Sequence, residues 1–309
     1  MVNNSLAADA VKFPVPRIVA ASGSNLWWLS LEARPIVLVV FTLRLAVGGM
    51  GLGGGHSSSF AHVTVGHLSW LCGIASIYLL NGVTDIRGDR ENRSERPLAA
   101  GRLSVKTAST SIVLLAATSV ALAALVSGAF FLEVMLLLIV GIAYSAGRRP
   151  MKNHAGSAAA ATAVAGGLTY FAGMEAYGRL PSPPIVVFAA MMGLWIAAAG
   201  AAKDFGDARG DLLAGRRTLP VLFGATRARS WVTVTSTSVA LVGVALTAVF
   251  PAVWPLTLLL PAAVWVGVLA RRISPQSTRA QQRRPYQVFM ASQYSVNILA
   301  IAIGLATLL

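Results

Sequence analysis

Nine stretches of this 309-residue chain are apolar over close to the length that a helix needs to cross a bilayer, about 20 residues. They fall at 35–54, 61–84, 104–127, 129–146, 155–177, 183–203, 229–250, 252–270 and 287–308. Only 12% of residues are charged, against about 25% in a soluble domain, so the chain cannot cover itself with polar surface in water. In hydrocarbon each backbone N–H and C=O must be satisfied within its own segment, which leaves helices as the reading. The sequence predicts an all-α, multi-span membrane protein with nine transmembrane helices. Residues 1–31 form a tail and an interfacial segment, where Trp27 and Trp28 suit the headgroup level. Residues 32–309 form one transmembrane domain.

The net charge of +14 would invite a nucleic-acid partner, but no soluble basic face or binding motif is present. Lysines and arginines instead follow the positive-inside pattern. With the N-terminus in the cytoplasm, all 25 except Arg44 and Arg179 fall in the N-terminal tail or in the loops after the second, fourth, sixth and eighth spans. The expected location is a cell membrane, the bacterial inner one, with lipid around the helices. The first 25 residues lack a long apolar core, so no cleavable signal is expected. Cys72, the one cysteine, reads as a small buried residue.

Seven of the eleven acidic residues lie in two segments at cytoplasmic span ends. The first runs from Asn81 to Glu95, and Asn81, Asp85 and Asp89 at i, i+4 and i+8 share a helix face. The second runs from Lys203 to Asp211, and Asp204, Asp207 and Asp211 at i, i+3 and i+7 are expected to share another. Arg96-Pro97-Leu98 follows the first, and Arg217-Thr218-Leu219-Pro220 follows the second. Each cluster follows the second span of a four-helix group, so two repeated units should face each other across a cavity. Ionisable groups at membrane depth are costly and usually functional. Carboxylates and an amide oxygen are hard ligands that suit Mg²⁺, while nearby Arg and Lys suit diphosphate oxygens.

At these residues the chain resembles the UbiA superfamily of membrane prenyltransferases. The first motif of that family, N-x₃-D-x₃-D, is matched by Asn81, Asp85 and Asp89, and its R-P-L continuation by Arg96-Pro97-Leu98 before Gly101-Arg102. Tyr144-Ser145, Pro150 and Lys152 match a further stretch, and Lys203, Asp204, Asp207 and Asp211 match the second motif. One departure is Gly82, where many members carry Asp. The resemblance implies a lipid-open cavity that holds an isoprenoid tail, with the diphosphate at its cytoplasmic end. It implies Mg²⁺ held by Asn81, Asp85, Asp89, Asp204, Asp207 and Asp211. Diphosphate contacts would come from Arg34, Arg96, Arg102, Lys152 and Lys203, and Tyr144 would close the cavity near C1. Asp85, Asp207 and Tyr144 are the expected catalytic residues.

The expected reaction is Mg²⁺-dependent transfer of an isoprenyl group from a prenyl diphosphate to an aromatic or quinone-precursor acceptor. A terpene cyclase would use the same metal motifs. A transporter would place its acids nearer the bilayer centre. Arg44, within the first span, reads equally as a contact for an acceptor carboxylate or as a snorkelling side chain. His67 reads as a buried, hydrogen-bonded histidine, and Glu133 and Glu175 as interfacial acids at the outer side. The small-residue runs Ala158–Ala161 and Ala197–Ala202 should allow close helix packing.

Overall fold

A computed structural model describes residues 24–52, 58–92 and 94–306. Lys12, Arg17, Arg93 and most of the first outer loop lie outside the described residues. Among the described residues the chain is helical throughout and has no strand, only one isolated bridge between His154 and Arg217.

The helices start where the sequence supplies caps. The short helix α1 (Asn25–Glu32) is followed, after a 63° bend, by α2 (Pro35–Met50). Arg34 turns the corner at φ 59°, a left-handed conformation that costs a residue with a Cβ about 1 kcal/mol. Ser59, Ser104 and Ser127 accept the first free amides of α3 (Phe60–Glu91), α4 (Val105–Ala123) and α5 (Gly128–Ser145). A 3-10 turn, Met151–Asn153, leads into α6 (Ala155–Ala176). Prolines, which have no amide to leave unsatisfied, open α7 (Pro183–Ala199) and sit in the first turn of α9 (Leu219–Leu246). Between these two lies α8 (Ala208–Leu213), and after them come α10 (Leu259–Arg271), α11 (Arg279–Gln282) and α12 (Arg284–Ala306).

Where nine spans are expected, seven helices among the described residues are long and apolar enough to cross a membrane, or eight if the bent α1–α2 pair forms one span. The shortfall has a local cause in α6, which is long but rich in Ala and Gly. The 252–270 run also differs from expectation: it opens as a 3-10 segment, Pro251–Leu258, before α10.

Each long helix packs on its neighbour in the chain, and α12 returns to α2, which closes the circuit. Two buried clusters flank the pair α2 and α6. One is built around Trp70, Phe130 and Leu137, the other around Trp195, Phe188 and Met192. The α2–α6 crossing is tight because both helices place glycine there. A Cβ on Gly48 would lie 2.0 Å from the Tyr170 carbonyl oxygen, and one on Gly173 2.1 Å from that of Leu45. Ala161, Ala199 and Ala202 are likewise buried at packed faces. Outward, Leu114, Leu132, Ile139, Val234 and Leu241 are exposed, a surface suited to hydrocarbon rather than water.

Candidate active site

The 61–84 apolar run is the first part of a longer helix. α3 continues to Glu91, so Asn81, Asp85 and Asp89 stand on its final turns along one face. The second motif is less regular than its spacing predicts. Asp204 lies in a 3-10 segment, Gly200–Gly206, Asp207 caps α8, and Asp211 lies within α8. Backbone bonds link them in series, Asp207 N to Asp204 O at 3.2 Å and Asp211 N to Asp207 O at 2.9 Å. The three acids are therefore gathered by a tight turn sequence and not by one helix face.

The two segments meet. Arg216 donates from Nη1 to Asp211 Oδ1 at 3.2 Å and from Nη2 to Asp85 Oδ1, so one guanidinium spans both motifs. Asn92, just past α3, accepts from the Gly210 amide at 3.1 Å. Arg279 of α11 donates to Asp207 Oδ1 at 2.6 and 3.1 Å and to the Asn92 carbonyl at 2.7 Å, pinning the end of α3 to the second motif. Gly210 makes this approach possible, because a Cβ there would lie 2.2 Å from the Asn92 amide.

The remaining expected side chains surround this junction. Lys152 Nζ donates to Asp85 Oδ1 at 2.7 Å and lies 3.5 Å from Asn81 Oδ1. Its 3-10 turn is tied to the Arg216 loop by Arg217 N to Asn153 O at 2.7 Å and Ala155 N to Arg217 O at 3.0 Å. Burial pushes the Lys152 ammonium below the usual lysine range, and the Asp85 charge partly offsets this. Burial likewise pushes Asp211 above the usual carboxylate range, against the pull of Arg216. Arg96 Nη1 meets Asp89 Oδ2 at 2.8 Å. Lys203 Nζ donates to the Tyr144 hydroxyl at 3.1 Å. Arg34 lies over the Tyr78 ring, 5.7 Å from its centroid.

Arg102 is placed otherwise than expected. It is exposed and lies over the Trp28 ring of α1, 5.4 Å from its centroid. Sequence reasoning, in turn, missed Arg216, Arg279 and Glu32, taking the two arginines as positive-inside charges. The one signal for Arg216 was its place five residues after Asp211, in the basic loop that follows the second motif as the Arg96 loop follows the first.

Among the described residues, no three His, Cys, Asp or Glu side chains converge on one point; Asp85, Asp89, Asp207 and Asp211 are instead paired with Arg96, Lys152, Arg216 and Arg279. The donor set still fits a hard cation. Asp211 Oδ2 is buried without a hydrogen-bond partner, and Asp211 shares Arg216 with Asp85 of the other segment.

Away from this junction, Arg44 is buried on α2 and donates to Gln293 Oε1 at 2.7 Å, with Phe41 against its guanidinium. Its Nε has no hydrogen-bond partner. His67 contacts the Val63 carbonyl through Nδ1 at 3.0 Å and is half-buried, as is Cys72. Glu175 accepts from Ser127 at 3.0 Å, and Glu133 lies on neighbouring α5.

The family profile described as UbiA prenyltransferase family matches residues 42–293. The chain is 29% identical over 255 residues to digeranylgeranylglyceryl phosphate synthase of Haloquadratum walsbyi, covering 80% of this chain and 86% of that protein. A shorter match, 30% over 154 residues, is to probable homogentisate phytyltransferase 2, chloroplastic, of Oryza sativa, and covers 47% of this chain and 41% of that protein. Among solved structures, a UbiA homolog from Archaeoglobus fulgidus bound to DMAPP and Mg²⁺ has the same fold, with TM-score 0.71 and 23% identity over 90% of this chain and 98% of that one.

Proposed function

Because the chain belongs to the UbiA prenyltransferase family, we propose that it carries out Mg²⁺-dependent transfer of an isoprenyl group from a prenyl diphosphate to a small acceptor within the membrane. The observation that carries this reading is the joining of two acidic segments through Arg216 beside the unpartnered Asp211 Oδ2. Asn81, Asp85, Asp89, Asp204, Asp207 and Asp211 would hold Mg²⁺, directly or through water. When bound, the ion supplies positive charge that stabilises the departing diphosphate.

The chain's own cations do the rest. Arg96, Lys152 and Arg216 neutralise the carboxylates in the ligand-free form and pair with diphosphate oxygens when substrate arrives. Arg34 and Lys203 lie against the rings of Tyr78 and Tyr144 and would take further diphosphate oxygens. Heterolysis of the C1–O bond leaves its electron pair on the diphosphate and an allylic cation on the isoprenyl group. The acceptor's electron pair forms the new bond to C1, and the acceptor gives up a proton. Tyr144, hydrogen-bonded to Lys203, lines the place where C1 would lie, and its ring face stabilises the cation.

Nine spans, α2 to α7 with α9, α10 and α12, best account for the circuit of helices. We read them as two repeated four-helix groups and a ninth helix around a lipid-open cavity. Residues 32–309 then make up the catalytic domain, preceded by an interfacial segment. Basic loops favour a cytoplasmic site in a bacterial inner membrane. Family membership favours catalysis over transport.

For the acceptor we favour an aromatic or quinone precursor, in line with the rice relative's name. The haloarchaeal relative's name supports a glyceryl phosphate acceptor as a second reading. The test is a screen of prenyl diphosphates of increasing length, each without acceptor, with a phenolic acid and with a glyceryl phosphate lipid, read by mass spectrometry. A prenylated phenol supports the first reading and a prenylated lipid the second. A cyclic hydrocarbon formed without acceptor would replace transfer by cyclisation.

A further inference from the structure

We infer that Glu32, which lies in neither acidic motif, is a positioning residue for the diphosphate site, and that Gly82 is the residue that admits it. Glu32 ends α1 and is fully buried. Its Oε1 lies 2.6 Å from Arg96 Nη2, and its Oε2 accepts from the Leu98 amide at 3.0 Å. One carboxylate therefore holds both the side chain and the backbone of the Arg96-Pro97-Leu98 loop. Arg96 is held by two carboxylates, Nη2 on Glu32 and Nη1 on Asp89, with Nη2 also 3.5 Å from the Tyr78 carbonyl oxygen, while its Nε is buried without a hydrogen-bond partner.

The division of labour follows from charge. When Asp89 turns to a metal, Arg96 loses one of its two carboxylates. A guanidinium freed of both would collapse onto any anion nearby or swing into solvent. Glu32 keeps Arg96 in place, so that its Nη1 and Nε present to the diphosphate without reorganisation. The deep burial of Glu32 makes this hold stiff, since an unpaired carboxylate there would be costly.

Gly82 makes room for this arrangement. A Cβ on Gly82 would lie 2.2 Å from Glu32 Oε1 and 2.8 Å from Arg96 Nη2. An aspartate at 82 would thus collide with the Glu32 carboxylate and bring its own carboxylate to the same place beside Arg96. The two positions are alternatives for one negative charge, which makes the idea testable by exchange.

This inference deepens the diphosphate reading above and rests on it, so the assay separates the two. The four proteins are wild type, Glu32→Ala, Gly82→Asp and the double variant, in detergent with Mg²⁺ and inorganic pyrophosphate as the probe, read by calorimetry. Each single substitution is expected to weaken pyrophosphate binding about tenfold, the scale of one charge-assisted contact, and the double to recover most of that loss. Glu32→Gln, which keeps the shape and removes the charge, is expected to raise the KM for the prenyl diphosphate about tenfold with little change in kcat, a split that a packing defect would not produce. Wild-type affinity in Glu32→Ala, or a double variant no better than the weaker single, would overturn the inference. If a single variant does not fold, Glu32→Gln decides by the same affinity measurement, and wild-type affinity there is equally fatal. If wild type itself binds no Mg²⁺–pyrophosphate, the diphosphate reading falls. The exchange is then judged on thermal unfolding, where a double variant more stable than both singles supports the Glu32–Gly82 exchange and additive losses refute it.

Discussion

Arg216 binds Asp85 on α3 through one nitrogen and Asp211 on α8 through the other, so two acidic segments more than a hundred residues apart in sequence share one guanidinium. Arg216→Ala removes this link and a proposed diphosphate contact together. It is expected to lower kcat/KM for the prenyl diphosphate between about tenfold and a hundredfold, while Arg216→Lys, with a charge but no fork, recovers only part. Steady-state diphosphate release measures both. An alanine variant as active as wild type would remove Arg216 from the site.

Chelation should separate activity from stability. Arg96, Lys152, Arg216 and Arg279 already pair with Asp89, Asp85, Asp211 and Asp207. Four of the five motif aspartates are therefore paired with a cation without metal. EDTA is expected to abolish diphosphate release while shifting Tm by no more than a few degrees, roughly the effect of 1 kcal/mol. Thermal unfolding by intrinsic fluorescence, with and without EDTA, checks this. A chelated protein that unfolds at once would mean that the cations do not balance the acids as described.

The α2–α6 crossing predicts where the scaffold is least tolerant. Gly173→Ala would bring a methyl group to 2.1 Å from the Leu45 carbonyl oxygen, which must move. The expected cost is about 1–3 kcal/mol, seen as a lower Tm and a lower folded yield. Gly156, where a Cβ meets nothing within 4 Å, is the control, and Gly156→Ala should leave Tm unchanged or slightly raised.

Much of this was legible in the sequence. Apolar runs carry the helices because hydrocarbon permits little else, and the run at 61–84 differs from α3 chiefly in stopping where the motif begins to turn polar. The i, i+4, i+8 spacing of Asn81, Asp85 and Asp89 places them on one face because a single helix contains them. The same reasoning misjudged the second motif, where the 3-10 geometry of Gly200–Gly206 replaces a helix that spacing alone cannot distinguish from it. Partners were harder still. Arg102 stacks on Trp28 while Arg216 and Arg279 reach the acids, a choice fixed by loop paths after α3, α8 and α10. Glu32 was not legible at all, since its meaning comes from the space left by Gly82 on another helix.

The central claim is that the two acidic segments act together on one metal-bound diphosphate. Its most direct test is Mg²⁺-dependent diphosphate release by wild type, Asp85→Ala and Asp207→Ala, with each variant's folding checked by Tm. Both variants are expected to lose activity by at least about a hundredfold while remaining folded, as removal of charge-stabilising groups from a reaction centre does. Wild-type rates in either folded variant would contradict the account.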